Sequence, residues 1–181
     1  VVNAGVAAVA PLSDMTLDAF RQVSEVNLQG AFVSIQAGSR ILKEQGIGGG
    51  IVVISTKNVA APGAGFGAYS ATKAAAHQLG KVAAMELAEF GIRVNLVAPD
   101  AVFEEGGVPS GLWASVGPDR ARSRGLEPED LPAFYRDRNL LKSEVTGSHV
   151  GAAVVFFATE QTPTTGATLP VDGGLPTAFP R

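Results

Sequence analysis

The chain has 181 residues, 46% of them hydrophobic, a formal net charge of -3, two histidines and no cysteine. This length and apolar content predict one domain with a core of ordinary size, and the mixed charges exclude the basic footprint of a nucleic-acid or membrane-surface protein. The absence of cysteine excludes disulfides, and with only two histidines the common zinc sites are excluded as well. No apolar run reaches about 18 residues, so we expect a cytoplasmic protein without a membrane partner.

The amino-terminal part predicts a buried strand followed by two helices. Residues 1–5 read as the end of an apolar strand that turns into a loop, and Thr16 is a suitable N-cap for the first helix. A second helical stretch runs from about residue 28 to residue 45, with Asn27 between the two. A buried amide without partners costs about 1–3 kcal/mol. Asn27 is therefore interpreted in two ways, as a helix junction or as a functional residue.

Polar side chains then meet near the end of a second strand. Residues 50–54 form an apolar, β-branched run that ends in Ser55 and Thr56, at the strand end where ligands of open α/β sheets bind. Tyr69 and Lys73 follow a Gly/Pro-rich loop and, four residues apart, share one helix face. We expect the ammonium to lower the pKa of Tyr69 from about 10 toward neutrality, which suits acid/base work. Packing of Tyr69 over Lys73 is the alternative.

The second half contains a long insertion. After a strand at residues 92–98, residues 100–145 are punctuated by glycine and proline, with helical pieces near 113–123 and 129–138, which is typical of a substrate lid. Its arginines could bind an anionic substrate or lie on solvated helix faces among the interspersed acids: Arg120, Arg122, Arg124, Arg136 and Arg138. A buried helix over 149–159 and a last strand over 167–171 complete the pattern.

These ordered motifs resemble those of the short-chain dehydrogenase/reductase family. The matching segments are Asn3-Ala4-Gly5, Asn27 within Val-Asn-Leu-Gln-Gly, Ser55-Thr56, Tyr69-xxx-Lys73, Arg93 to Pro99, and Val171-Asp-Gly-Gly174. The resemblance implies a Rossmann-type, doubly wound parallel α/β sheet. It also implies a nicotinamide cofactor, NAD or NADP with NAD favoured, and an Asn-Ser-Tyr-Lys tetrad acting on a hydroxyl or carbonyl group.

The resemblance assigns roles to individual residues. Tyr69 is the general acid/base, Lys73 tunes it and binds the nicotinamide ribose, and Asn27 holds a helix distortion and a proton-carrying water. The orienting serine of the family stands thirteen residues before the tyrosine, a position occupied here by Thr56, with Ser55 as the alternative. The implied cofactor-binding residues are Asn3, Ala4, Gly5, Tyr69, Lys73, Pro99, Asp100 and Val102. No metal ligand is expected.

Two of the chain's departures from the family pattern bear most directly on its site and domain boundaries. Asp100 follows Pro99 where the family usually has glycine, and this carboxylate would either alter substrate choice or cap the next turn. No G-x-G-x-x-G follows a first strand, so residues 1–181 read as the carboxyl-terminal part of one Rossmann domain whose first three strands and helices are missing. The 100–145 lid lies within that domain.

Some segments indicate a particular subgroup within the short-chain dehydrogenase/reductase family. Residues 55–58, 99–103 and 172–181 and the arginine-rich insertion resemble the dehydrogenase half of bifunctional rhamnulose-1-phosphate aldolase/alcohol dehydrogenase proteins. This implies a fused amino-terminal aldolase domain, a small alcohol or aldehyde substrate such as lactaldehyde in rhamnose catabolism, and a homodimer or homotetramer. Lys57 would reach a substrate oxygen or a surface carboxylate. The competing hypothesis is a cofactor-free structural or oligomerisation module.

Overall fold

Three parallel strands form the sheet of this protein, whose computed structural model describes residues 1–159 and 162–179. The strands are β1 (Gly49–Ile54), β2 (Ile92–Pro99) and β3 (Thr168–Val171), in the spatial order β1-β2-β3. Val2 pairs with the free side of β1: its amide donates to the Val52 carbonyl and its carbonyl accepts from the Ile54 amide, both at 2.8 Å. The predicted α/β architecture with a parallel sheet is confirmed.

Helices connect and cover these strands. They are α1 (Leu17–Ser24), α2 (Gly30–Gln45), α3 (Gly67–Leu87), α4 (Gly111–Arg122), α5 (Leu131–Asp137) and α6 (Gly147–Ala158). Thr16 caps α1 as predicted, because its side chain accepts a hydrogen bond from the Ala19 amide at 3.2 Å. A π-helical turn, Glu25–Gln29, joins α1 to α2 without a break. Among the described residues, no helix is both long and apolar enough to cross a bilayer.

The core lies on both faces of the sheet because successive strand residues point to opposite sides. Val53 and Leu96 pack with α2 and α3 on one face, whereas Val52 and Val97 pack with Ala153 and Phe157 of α6 on the other. Gly80 brings α3 close to the sheet, since a Cβ there would lie 3.1 Å from a methyl of Leu96. Helices on both faces are what a doubly wound sheet requires.

The 100–145 insertion folds against the end of β2. It contains α4 and α5, close to the predicted helical pieces, and it buries a cluster of its own around Ala121, Leu131 and Tyr135. The turn after β3 holds this insertion in place, because the Leu141 amide donates to the Gly173 carbonyl at 3.0 Å. Gly173 has φ +66°, and a Cβ there would lie 2.5 Å from Oδ1 of Asn139.

Replacing Gly173 by alanine should therefore destabilise the fold more than backbone strain alone explains. Gly106→Ala is the matched control, because Gly106 has φ +59° but open space around a Cβ. We expect the control to lose about 1 kcal/mol of unfolding free energy. Gly173→Ala should lose about 2 kcal/mol more, because Asn139 would be pushed off its two hydrogen bonds to Ser143. Denaturant titration measures both, and equal losses would show that the Asn139 contact carries no energy.

Candidate active site

A cavity of about 470 Å³ opens beyond the carboxyl ends of β1 and β2. It is lined by most residues that the sequence assigned to the site: Asn3, Gly5, Ser55, Thr56, Tyr69, Lys73, Pro99, Asp100 and Val102. Two assigned residues do not line it. Ala4 is exposed beside the cavity mouth residues Asn3 and Gly5, and Asn27 is buried behind them.

Lys73 is buried at the base of the cavity. The side chain is 5% exposed, and its ammonium donates a hydrogen bond of 2.9 Å to the Ile54 carbonyl at the end of β1. Burial lowers the pKa of Lys73 to about 8, because an ammonium is poorly solvated there. The first turns of α3 are thus tied to the strand end that carries Ser55 and Thr56.

The pKa of Tyr69 differs from the expectation. Burial raises it above its ordinary value, and a side-chain hydrogen bond with Thr56 opposes this only in part. The predicted lowering by Lys73 is wrong for this structure, because burial of the phenol dominates and the Lys73 ammonium donates to the Ile54 carbonyl. Burial therefore favours the neutral phenol, and a positive charge brought close to Tyr69 would favour the phenolate.

Asn27 satisfies its amide completely within the fold. Its Oδ1 accepts from the Val6 amide at 2.8 Å, and its Nδ2 donates to the Val6 carbonyl at 2.9 Å and to the Thr72 hydroxyl at 3.2 Å. Asn27 stands in the π-helical turn, which fits the helix-junction interpretation and also the helix distortion that the family resemblance implies. Through these contacts it links the loop after Val2 to the residue that precedes Lys73. The role in carrying a water stays a prediction.

Ser55 and Thr56 have different partners. The Ser55 hydroxyl lies 2.9 Å from Nδ1 of His77, a contact that sequence reasoning missed because the two residues are 22 positions apart in the chain. Thr56 caps the short turn Lys57–Val59 by accepting from the Asn58 amide at 3.2 Å, and it also bonds to Tyr69. Thr56 is therefore the hydroxyl that faces the phenol.

Charged residues of the insertion complete one wall. Asp100 is bound by Arg138, with Nη2 to carboxylate distances of 2.5 and 2.6 Å, so it neither caps the next turn nor stands free. Arg120 is 2% exposed, which contradicts the solvated-face interpretation for this residue. That interpretation holds for Arg122, which pairs with Asp119 on the exposed side of α4. No sequence signal distinguished Arg120, because burial of this position depends on how α4 docks.

The cavity has room for a cofactor beside Lys73. A Cβ at Gly5 would come 3.3 Å from Nζ of Lys73 and 3.5 Å from Oδ1 of Asn27, so only glycine leaves this side of the ammonium open. Lys73 and the exposed polar edge of Asn3 are suited to the hydroxyls of a ribose. Among the described residues, no group of three or more metal-ligating side chains occurs.

A parallel sheet with helices on both faces and a Tyr–Lys pair at its carboxyl edge defines a Rossmann-like α/β protein. Within that class, a family model described as "short chain dehydrogenase" matches residues 1–105. The chain belongs to the short chain dehydrogenase family.

Curated relatives match nearly the whole chain. It is 35% identical over 180 residues to the uncharacterized oxidoreductase YuxG of Bacillus subtilis (strain 168), covering 99% of this chain and 26% of that protein. It is 34% identical over 177 residues to L-2,3-butanediol dehydrogenase of Corynebacterium glutamicum, covering 96% of this chain and 65% of that protein. The chain thus spans less than two thirds of the length of these relatives.

Solved structures of dehydrogenases superpose on this chain. Sorbitol-6-phosphate 2-dehydrogenase SrlD from Erwinia amylovora superposes with a TM-score of 0.86 at 29% identity, over 95% of this chain and 66% of that one. A short chain dehydrogenase from Leptospira borgpetersenii with bound NAD+ gives a TM-score of 0.77 at 26% identity, over 96% and 62%.

The buried Lys73 should lower the free energy of unfolding, as functional residues often do. Its pKa is about 8 in the fold, against an ordinary value of 10.5. The unfolded chain therefore binds more protons between these values, and stability rises with pH across that window. We expect Lys73→Met to raise the unfolding free energy at pH 7 by on the order of 1–3 kcal/mol, a gain that shrinks as the pH approaches 10.5.

The exposed Lys43, which lies 4.0 Å over the Phe90 ring, supplies the control. Lys43→Met should change the unfolding free energy by no more than about 0.5 kcal/mol. Denaturant titrations at pH 7, 9 and 10.5 measure both variants. A Lys73→Met protein that is less stable than the parent at pH 7 would disprove the burial penalty.

Proposed function

We propose that this chain carries the catalytic part of an NAD(P)-dependent oxidoreductase that transfers a hydride between nicotinamide and a small alcohol or its carbonyl form. The observation that carries the proposal is the meeting of Thr56, Tyr69 and Lys73 in one cavity at the carboxyl edge of the sheet. The names of the relatives support the same class of reaction.

Tyr69 is the residue that would exchange a proton with the substrate. In alcohol oxidation, the phenolate form of Tyr69 takes the hydroxyl proton of the substrate at Oη as the carbon loses its hydride. In carbonyl reduction the same atom returns the proton. Thr56 already bonds to Tyr69, so its hydroxyl is placed to orient the substrate oxygen toward the phenol. For an aldehyde that is oxidised to an acid, the hydrated form is the substrate and the same proton step applies.

The cofactor would lie against Asn3, Gly5, Lys73, Pro99 and Val102, which line the cavity together. Its nicotinamide would accept or donate the hydride, and in the oxidised form it would bring positive charge near the reacting groups. Lys73 would bind ribose hydroxyls while keeping its bond to the Ile54 carbonyl. The neutral phenol of the structure would then ionise more easily, since a nearby positive charge favours the phenolate.

We propose that residues ahead of Val1 complete the cofactor site. No glycine-rich turn follows a first strand in these 181 residues, and the chain covers 65% of L-2,3-butanediol dehydrogenase and 66% of SrlD. A pyrophosphate-binding turn of the G-x-G-x-x-G type would belong to the missing part. The choice between NAD and NADP would be made there as well, with NAD favoured.

Tyr69→Phe tests the proton assignment. Removing the hydroxyl should lower kcat at least about 100-fold, because the phenol is the group placed to exchange the proton. Binding of NAD or NADP, measured by calorimetry on the longest natural form of the protein, should be unchanged. Stopped-flow absorbance of the reduced nicotinamide measures turnover, and undiminished turnover of the variant would refute the acid/base role.

Thr56→Val and Ser55→Ala separate the two hydroxyls. Thr56→Val keeps the side-chain shape but removes the hydroxyl that faces Tyr69, so kcat should fall on the order of 100-fold. Ser55→Ala breaks only the bond to His77, so it should cost about 1 kcal/mol of stability and leave kcat nearly unchanged. Steady-state kinetics and thermal unfolding of both variants make the comparison. A larger kcat loss in Ser55→Ala would reverse the assignment.

The narrower proposal is oxidation of a small hydroxy-aldehyde, such as lactaldehyde in rhamnose catabolism, by the dehydrogenase part of a fusion with an amino-terminal aldolase domain. The match to YuxG supports the fusion, because the matched stretch is only 26% of that protein. The compact cavity under the 100–145 insertion, proposed as a substrate lid, supports a small substrate.

A second candidate function is a cofactor-free oligomerisation module. Exposed apolar side chains on α2 and α3 favour contact with a second copy of the chain, as a dimer or tetramer requires: Phe32, Ile41, Val82 and Met85. The same surface suits an enzyme that is oligomeric. Calorimetry with NAD and NADP decides between the two, because a module without catalysis would bind neither.

A further inference from the structure

We propose that the ligand in this cavity carries an anionic group, a carboxylate or a phosphate, held by Lys57 and Arg120. The proposal deepens the proposed function by naming the chemical class of substrate or product, and it rests on that function for its place in turnover. Anion binding itself does not depend on turnover. Three observations on the cavity wall support the proposal. The two cations are fully or partly shielded from water, they have no carboxylate partner among the described residues, and they line the same cavity as Tyr69.

Arg120 is a buried cation whose partners are all neutral. Its Nε donates to the Tyr135 hydroxyl at 3.0 Å and one Nη donates to the Ala64 carbonyl at 2.7 Å. In the part of the chain that the structure describes, no carboxylate lies within 4.0 Å of this guanidinium. A guanidinium taken out of water without a counter-charge is costly, so an uncompensated one on a cavity wall indicates a bound anion.

Lys57 is a second cation of this wall, and it is partly buried. It lines the same cavity next to Thr56, and its ammonium donates to the Ala61 carbonyl at 3.1 Å, with no ion pair among the described residues. This rules out the surface carboxylate considered for it. Burial and the neighbouring Arg138 lower the pKa of Lys57 to about 8, and Asp100 offsets them only in part. Arg138 already holds Asp100, so that carboxylate is not free to neutralise Lys57 or Arg120.

Both cations stand beside the reacting groups. The Arg120 guanidinium lies 4.9 Å from the centre of the Phe66 ring, and Phe66 in turn packs edge-on against Tyr69 with ring centres 5.8 Å apart. One aromatic ring therefore separates Arg120 from the phenol. A ligand whose hydroxyl reaches Tyr69 and Thr56 can place a second, charged group against Lys57 and Arg120. Lactate offers both groups, a hydroxyl and a carboxylate on adjacent carbons, whereas lactaldehyde is uncharged.

Calorimetry on the full chain tests the inference with three probes. Lactate supplies a carboxylate, glycerol 3-phosphate supplies a phosphate, and 1,2-propanediol is the uncharged analogue of lactate. We expect at least one anion to bind at least about tenfold more tightly than the diol, because a site built for a charged group penalises a ligand without it. The comparison of lactate with glycerol 3-phosphate decides between carboxylate and phosphate.

Variants link this preference to the two cations. Lys57→Met and Arg120→Met should each reduce anion affinity about tenfold or more and leave diol affinity unchanged. Arg122→Met is the matched control, because Arg122 is on the same helix as Arg120 but pairs with Asp119 at the surface, and it should keep the parent's preference. If Arg120→Met does not fold, Lys57→Met alone decides.

Two results would overturn the inference. One is equal affinity of the parent for the diol and both anions, and the other is an anion preference that survives Lys57→Met. These results are independent of the proposed function, which is tested by nicotinamide binding and turnover. If the parent protein oxidises the neutral diol but does not bind anions more tightly, the proposed oxidoreductase function stands and only the anionic substrate class is refuted.

Discussion

The hydrogen bond from the Lys73 ammonium to the Ile54 carbonyl is the interaction on which the site depends. It ties the start of α3 to the carboxyl end of β1, so the helix that carries Tyr69 and the strand end that carries Thr56 cannot separate without breaking this buried hydrogen bond. Asn27 strengthens this arrangement from behind through its bonds to Val6 and Thr72. The geometry of the cavity is therefore tied to the backbone of the sheet.

The same cavity is lined by positively charged side chains that do not stabilise the fold. Lys73 and Arg120 are buried and Lys57 is partly buried, and none has a carboxylate within ion-pair distance in the described residues. A core built only for stability would place apolar side chains there, because unpaired buried charges oppose folding. The concentration of such groups at one edge of the sheet is the physical mark of a binding site.

Much of the fold and of the catalytic set could be predicted because it depends on short-range patterns. The β-branched run before Ser55 determines a buried strand, the Thr16 hydroxyl begins α1, and the four-residue spacing places Tyr69 and Lys73 on one helix face. The pKa of Tyr69 could not be predicted in the same way. It depends first on how deeply tertiary packing buries the phenol, and the Lys73 ammonium is directed to an acceptor on a strand nineteen residues away.

The sequence by itself determined the parallel α/β architecture, the order of its elements and the identity of the Tyr–Lys pair, because periodicity and spacing act within a few residues. The tertiary structure alone decided which hydroxyl faces Tyr69, since Ser55 is withdrawn by His77 on α3. It also decided that Arg120 is buried while Arg122, two positions on, is solvated. Both outcomes follow from the docking of helices distant in the chain, where burial and counter-charge are set by neighbours that no local pattern encodes.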